Sequence, residues 1–176
     1  MNIEDRQSYA NVLEDIYIFK YLSQAEHRKI LEISTFVRYD ADEKIINEGD
    51  LKPYFYAVIK GTVNVLVREQ DGREVFICAI GDGEIFGEAG IFLNVKRSAN
   101  VVSTEESVIM RIHRKKLLEF IKEFPSAGIK ILMLIVYSLL SKLREANQEL
   151  AFERKADIEQ DDIDSLVEGF MTGDLD

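Results

Sequence analysis

Two short runs carry the residue types that could hold an anion. The first is Phe86-Gly87-Glu88-Ala89-Gly90; the second is Lys96-Arg97-Ser98-Ala99, with Arg97 nine residues after Glu88. Gly81, Gly83 and Gly87 allow tight turns and a close approach of the backbone to a ligand. Small side chains at Ala89 and Gly90 leave that backbone reachable. Glu88–Phe92 could form a single helical turn whose unpaired N–H groups face an anion. Arg97 could return to the same spot and hold it with a two-pronged hydrogen bond. Glu88 is a poor neighbour for an anion unless it binds something else, and a ribose hydroxyl beside the phosphate is the natural candidate. A ligand with one phosphodiester, a free ribose hydroxyl and a flat base, a cyclic nucleotide, fits this inventory.

Other chemistries find less support. His27 and His113 are far apart, with no ligand spacing around them, so no metal site and no cofactor are expected. No Ser-His-Asp or Cys-His arrangement has a local signature, and no catalytic residues are assigned. Cys78 is the single cysteine. It excludes a disulfide framework, suits a reducing compartment, and is expected in the core of a strand. The net charge of −10 requires any nucleic-acid surface to appear as a local basic patch. The densest basic run, Arg111-Ile112-His113-Arg114-Lys115-Lys116, reads as a solvated helix start, so no nucleic acid is expected. The N-terminus is acidic with no apolar run. Ile129–Leu140 is apolar but shorter than the roughly 20 residues of a membrane helix. It reads as a buried helix, and the chain as cytoplasmic with no membrane partner.

The elements that must position these residues change character along the chain. Ser8–Ile33 reads as helical, with Val12, Leu13, Ile16, Phe19 and Leu22 as its apolar face. Ser23 followed by Glu26 suggests a capped second helix, Gln24–Ile33. From Thr35 to Arg111 the pattern is of short strands: Phe36–Tyr39, Lys44–Ile46, Phe55–Ile59, Thr62–Arg68, Glu74–Ile80, Asn100–Ser103 and Ser107–Ile112. Asp71-Gly72 between two apolar runs is a hairpin signal. The expected fold is mainly β with flanking helices: an antiparallel β-roll of jelly-roll type, N-terminal helices and a long C-terminal helix. A short helix, Lys115–Glu123, precedes Pro125, which opens the long helix to about Glu149. Ile129–Leu140 is apolar nearly all round and is expected to be covered on most faces. Two regions result: 1–150, a ligand-binding β-roll with its C-terminal helix, and 151–176, an acidic tail. The tail from Phe152 holds nine acidic residues, and Ile158, Ile163, Leu166, Val167 and Phe170 are spaced like one weak amphipathic helix.

The same runs resemble the phosphate-binding cassette of the cyclic nucleotide-binding domain family. Members read Phe-Gly-Glu, two small or apolar residues, an apolar pair, a short spacer, then Arg, a small residue and Ala. Here these are Phe86-Gly87-Glu88, Ala89-Gly90, Ile91-Phe92, Leu93-Asn94-Val95-Lys96 and Arg97-Ser98-Ala99. Glu48-Gly49-Asp50, Phe55–Val63 and Gly81-Asp82-Gly83 extend the likeness, which covers about Ile16 to Leu150. The resemblance implies that Glu88 binds the ribose 2′-hydroxyl and Arg97 the cyclic phosphate. Backbone groups of Gly87, Ala89 and Gly90, with the Ser98 hydroxyl, complete the cradle. Many members have Pro where Lys96 stands.

The long helix resembles the one that caps the base and pairs with its twin in the catabolite-activator-like branch of the family. That implies a homodimer, with Asn147 reaching a purine edge; an Asn that tunes the register of a helix pair is the equal alternative. That branch continues with a helix-turn-helix domain; here only the acidic tail follows. The expectation is a stand-alone, cyclic AMP-leaning sensor that relays through its C-terminal helix to a downstream protein, through the tail or the helix pair. The alternative is a degenerate domain that binds nothing and serves as a structural dimerisation or adaptor module.

Overall fold

A computed structural model describes residues 2–4, 6–69, 71–92 and 95–172; for 2–4, 6, 149 and 152–172 it describes the backbone only. Among the described residues nine strands form two antiparallel sheets. One has the order β1 (Asn2–Glu4), β2 (Ser34–Tyr39), β9 (Ser107–His113), β4 (Tyr54–Lys60) and β7 (Ile85–Phe86). The other has the order β3 (Lys44–Ile46), β8 (Asn100–Ser103), β5 (Val63–Arg68) and β6 (Glu74–Ile80). This is the expected β-roll, with β1 and the two-residue β7 added to the strands read from the sequence.

Strands β2, β4, β7 and β9 are buried along most of their length on both faces, and the central β4 and β9 are accordingly rich in consecutive apolar residues. Alternation assigns the faces. Phe36, Phe55, Ala57, Ile59, Met110 and Ile112 pack with the helices, whereas Val37, Tyr39, Tyr56, Val58 and Ile109 point into the roll. Ile45, Ile46, Val63, Ile80, Phe86 and Val101 meet the second set there. The β5–β6 hairpin turns at Asp71-Gly72, where Gly72 takes φ +88°.

The N-terminal segment corrects one expectation. Two short 3-10 turns, Arg6–Tyr9 and Val12–Glu14, stand where a continuous helix was read. Buried Leu13, Ile16, Phe19 and Leu22 recur every third position, with Ile18 buried beside them. That is the period of i to i+3 bonding, and such bonds run from Asp15 N–H to Val12, Phe19 N–H to Ile16 and Leu22 N–H to Phe19 carbonyls. Helix α1 (Gln24–Ile33) starts at a capping box: Ser23 N–H donates to Glu26 Oε2 at 2.6 Å and Glu26 N–H to Ser23 Oγ at 3.4 Å. The Ser23 amide holds the Glu26 carboxyl below its ordinary pKa.

Cys78 is exposed, not core. Strand β6 lies at a sheet edge, and Glu74–Ala79 are exposed on both of its faces. After the single-turn helix α2 (Ala89–Phe92) and helix α3 (Arg114–Glu123), helix α4 runs from Pro125 to Thr172 without a break. The chain forms two compact units, 1–135 and 136–176, whose division falls inside α4. In the first unit Ala127, Ile131 and Ile135 join the core, while Ile129 and Met133 are exposed. The apolar stretch is therefore covered on one stripe and not on most faces. In the second unit Val136, Tyr137, Leu139, Leu140, Leu143 and Leu150 are exposed. The stretch Pro125–Gln148, 24 residues, is long and apolar enough to cross a membrane by length and composition, which the shorter Ile129–Leu140 reading missed. The helical backbone continues through the tail to Thr172; the side chains of Ile158, Ile163, Leu166, Val167 and Phe170 lie outside those described.

Candidate functional site

Strand β7 and helix α2 carry the first run, and the segment entering β8 carries the second. They meet around a cavity of about 360 Å³ lined by Ile46, Gly87, Glu88, Ala89, Gly90, Val95, Lys96, Arg97, Ser98, Ala99 and Val101. Gly87 through Gly90 and Arg97 through Ala99 are thus brought together. Leu93 and Asn94, within the spacer, lie outside the described residues. Phe86 does not line the cavity. It is a core side chain, 3% exposed, stacked on Tyr56 at a centroid distance of 4.9 Å. Asn147 belongs to the second unit, where it shares a groove on α4 with Tyr137, Leu140, Leu143 and Arg144.

Backbone bonds fix the second run. The Arg97 N–H donates to the Asp50 carbonyl at 2.9 Å, and the Gly49 N–H donates to the Arg97 carbonyl at 2.8 Å. The turn at Glu48-Gly49-Asp50, where Gly49 takes φ +86°, therefore holds the arginine in register. Lys52 keeps the Asp50 carboxyl below its ordinary pKa by a contact at 3.0 Å.

The Arg97 guanidinium spreads over the first run. Nη1 donates to the Gly87 carbonyl at 3.1 Å, and Nη2 donates to the Lys52 carbonyl at 2.6 Å and to the Tyr54 carbonyl. The group lies 5.6 Å from the Tyr56 ring centroid, a cation–π distance. A Cβ at Gly90 would come within 2.8 Å of Nη1, and one at Gly87, which has φ +73°, within 3.0 Å of Nη1 and of Tyr56 Cδ2. Both glycines make room for this arginine as placed.

The donor count has a consequence. A guanidinium can grip an oxyanion with two parallel bonds along the Nε–Nη2 edge or the Nη1–Nη2 edge. Both edges use Nη2, and both Nη2 hydrogens are committed to carbonyls. A two-pronged grip requires release of Lys52 or Tyr54. The Gly90 N–H is likewise committed, donating to the Gly87 carbonyl at 3.1 Å, so it is not an open donor of the cradle.

Glu88 is 8% exposed at the cavity wall, whereas Ala89 and Ser98 are exposed. Ile46 and Val101, both buried, supply apolar surface. Tyr56, beneath Arg97, has its hydroxyl pKa pushed up to about 12 by burial, with the Arg97 charge pulling the other way. Sequence reasoning missed Tyr56 and the carbonyls of Lys52 and Tyr54. Tyr56 could have been found from the alternation of β4, but a carbonyl partner has no residue-type signal. Among the described residues no group of His, Cys, Asp or Glu is arranged to hold a metal ion.

Comparison with known proteins gives three kinds of match. The family model described as "Cyclic nucleotide-binding domain" matches residues 36–124. The chain is 32% identical over 114 residues to the cAMP-activated global transcriptional regulator of Haemophilus influenzae, covering 64% of this chain and 49% of that one. It is 32% identical over 99 residues to the cAMP-dependent protein kinase type II regulatory subunit of Drosophila melanogaster, covering 56% of this chain and 26% of that one. The chain thus spans about half the length of the first relative and about a quarter of the second. The solved structure of the Thermus thermophilus catabolite activator protein superposes with a TM-score of 0.65 at 28% identity, covering 77% of this chain and 62% of that one.

Proposed function

The chain belongs to the cyclic nucleotide-binding domain family, and from that premise we propose that the cavity between Gly87 and Val101 takes a cyclic nucleotide, cyclic AMP ahead of cyclic GMP. The observation that carries the reading is the convergence of the Arg97 guanidinium and the buried Glu88 carboxylate on one cavity. Arg97 takes the cyclic phosphate and Glu88 the ribose 2′-hydroxyl. Ser98, Ala99 and the Ala89 backbone close the cradle, and Ile46 and Val101 form an apolar wall. Phosphate binding draws Nη2 from the Lys52 or Tyr54 carbonyl, so the segment before β4 registers the ligand. The protein acts as a cytoplasmic regulatory binding module, not an enzyme, and passes the signal on by movement of its C-terminal helix. It is a homodimer, and a downstream protein reads the helix pair or the acidic tail. The names of the regulator and the kinase regulatory subunit support a regulatory role and the preference for cyclic AMP.

A second reading is favoured by the occupied fork of Arg97: a domain that keeps the fold, binds nothing and serves as a dimerisation module. Thermal melts separate the two. A ligand at about 100 times its Kd stabilises the folded state by about 2.7 kcal/mol. The first reading expects the melting temperature to rise with cyclic AMP and more weakly with cyclic GMP. The second expects identical melts with and without nucleotide.

A further inference from the structure

The basic run that read as a solvated helix start is built into a second cavity. The run ends β9 and begins α3, and its His113, Arg114 and Lys115 line, with Pro53, Leu118, Glu119 and Lys122, a space of about 420 Å³. His113, Arg114, Lys115 and Lys122 face it against one carboxylate, Glu119. Several other cations on this acidic chain are paired: Lys29 with Glu123, Arg38 with Glu106, Lys44 with Glu74 and Arg73 with Asp71. Among the described residues Arg114, Lys115 and Lys122 form no ion pair. The Nε of Arg114 is also buried with no hydrogen-bond partner. Three like charges around one concavity repel each other, and a buried guanidinium donor without an acceptor is costly.

We infer that this cavity at the β9–α3 junction is a binding site for a dianionic phosphate group, as a phosphate monoester or as free inorganic phosphate. The first amides of α3 are not its basis. The Arg114 N–H donates to the Pro53 carbonyl at 2.8 Å and the Lys115 N–H to His113 Nδ1 at 3.2 Å. The side chains are its basis. Because His113 Nδ1 accepts, the neutral ring carries its proton on Nε2 as a donor. The ring is steadied edge-on against Tyr54 at 5.3 Å. Lys115 and Lys122 lie seven residues apart on one face of α3, with Leu118 between them. Two ammonium groups and a guanidinium match a compact dianion better than the monoanion of a cyclic phosphodiester. The cavity exceeds a phosphate in size, and Leu118 and Pro53 offer apolar surface to whatever carries it.

The test is a titration of the ¹⁵N-labelled full chain with inorganic phosphate and with O-phosphoserine, at ionic strength held constant with sodium chloride. The expected result is saturable movement of the His113, Lys115 and Lys116 amides. In K115Q/K122Q, both exposed positions, affinity should fall roughly tenfold or more, while R97A, in the other cavity, should titrate like wild type. Tighter binding of phosphoserine would assign the site to a monoester, and equal binding to the free anion. Movement that never saturates, that chloride reproduces, or that survives K115Q/K122Q would overturn the site.

Discussion

Arg97 divides five donors between the protein and an incoming anion, and at rest the protein holds three of them. In the proposed complex a ligand therefore exchanges hydrogen bonds instead of filling a waiting fork, and the proposal places the mechanical consequence at Lys52–Tyr54. Beneath it, Tyr56 supplies an independent check. Its hydroxyl titrates near 10.0 in a free chain and is pushed to about 12 in the fold. A raised folded value contributes stability that is whole below pH 10 and lost as pH rises through the folded value. Denaturant unfolding should show stability falling by up to about 3 kcal/mol across that window, less steeply in Tyr56→Phe. Tyr39, also raised by burial, contributes with the same sign, so the slope should shrink without vanishing. An unchanged slope in Tyr56→Phe would mean that this phenol is not buried. The pairing of Glu88 with Arg97 on one cavity was legible in the sequence because both side-chain types and their spacing were visible there. The partners of Arg97 were not, since they are backbone carbonyls that any residue could supply. Phe86 was legible as part of the motif, but its place in the core beside Tyr56 was not, because that neighbour is set by strand pairing across β4 and β7.

The elements were readable where a local rule had no competitor. Ser23 and Glu26 announced the capping box of α1, and the structure has both of its bonds. Ser23→Ala should cost about 1 kcal/mol in unfolding measurements. Glu26 has a lowered pKa, with its ordinary value at 4.5. Its contribution is present above that value and lost as pH falls through the lowered one. The difference between wild type and Glu26→Gln should therefore disappear in acid; a difference unchanged in acid would sever the pKa from the cap. Other elements were misread because one periodicity serves two structures. Leu13, Ile16, Phe19 and Leu22 suit a helix roughly and a chain of i to i+3 turns better. Cys78 sits in an apolar strand that reads like core. Whether β6 is covered depends on its place at the sheet edge, a property of the whole sheet.

The two compact units raise questions that composition alone could not answer. Ile129–Leu140 on α4 was expected to be covered on most faces, yet Tyr137 and Leu140 are 68% and 60% exposed, and Leu143 beyond them is 57% exposed. A patch of this kind on a helix surface marks an interaction site. The proposed homodimer uses it, so sedimentation of the full chain should give a dimer, and Leu140→Glu with Leu143→Glu a monomer that still binds nucleotide. A wild-type monomer at high micromolar concentration would remove the helix pair from the account. The central claim is simpler and lies in unit 1–135. Calorimetric titration of cyclic AMP into wild type and Arg97→Ala tests it most directly. The account expects saturable heat in wild type and a loss of about 2–5 kcal/mol of binding free energy in the variant. No heat in wild type at high micromolar ligand, or equal affinity in the two proteins, would contradict it.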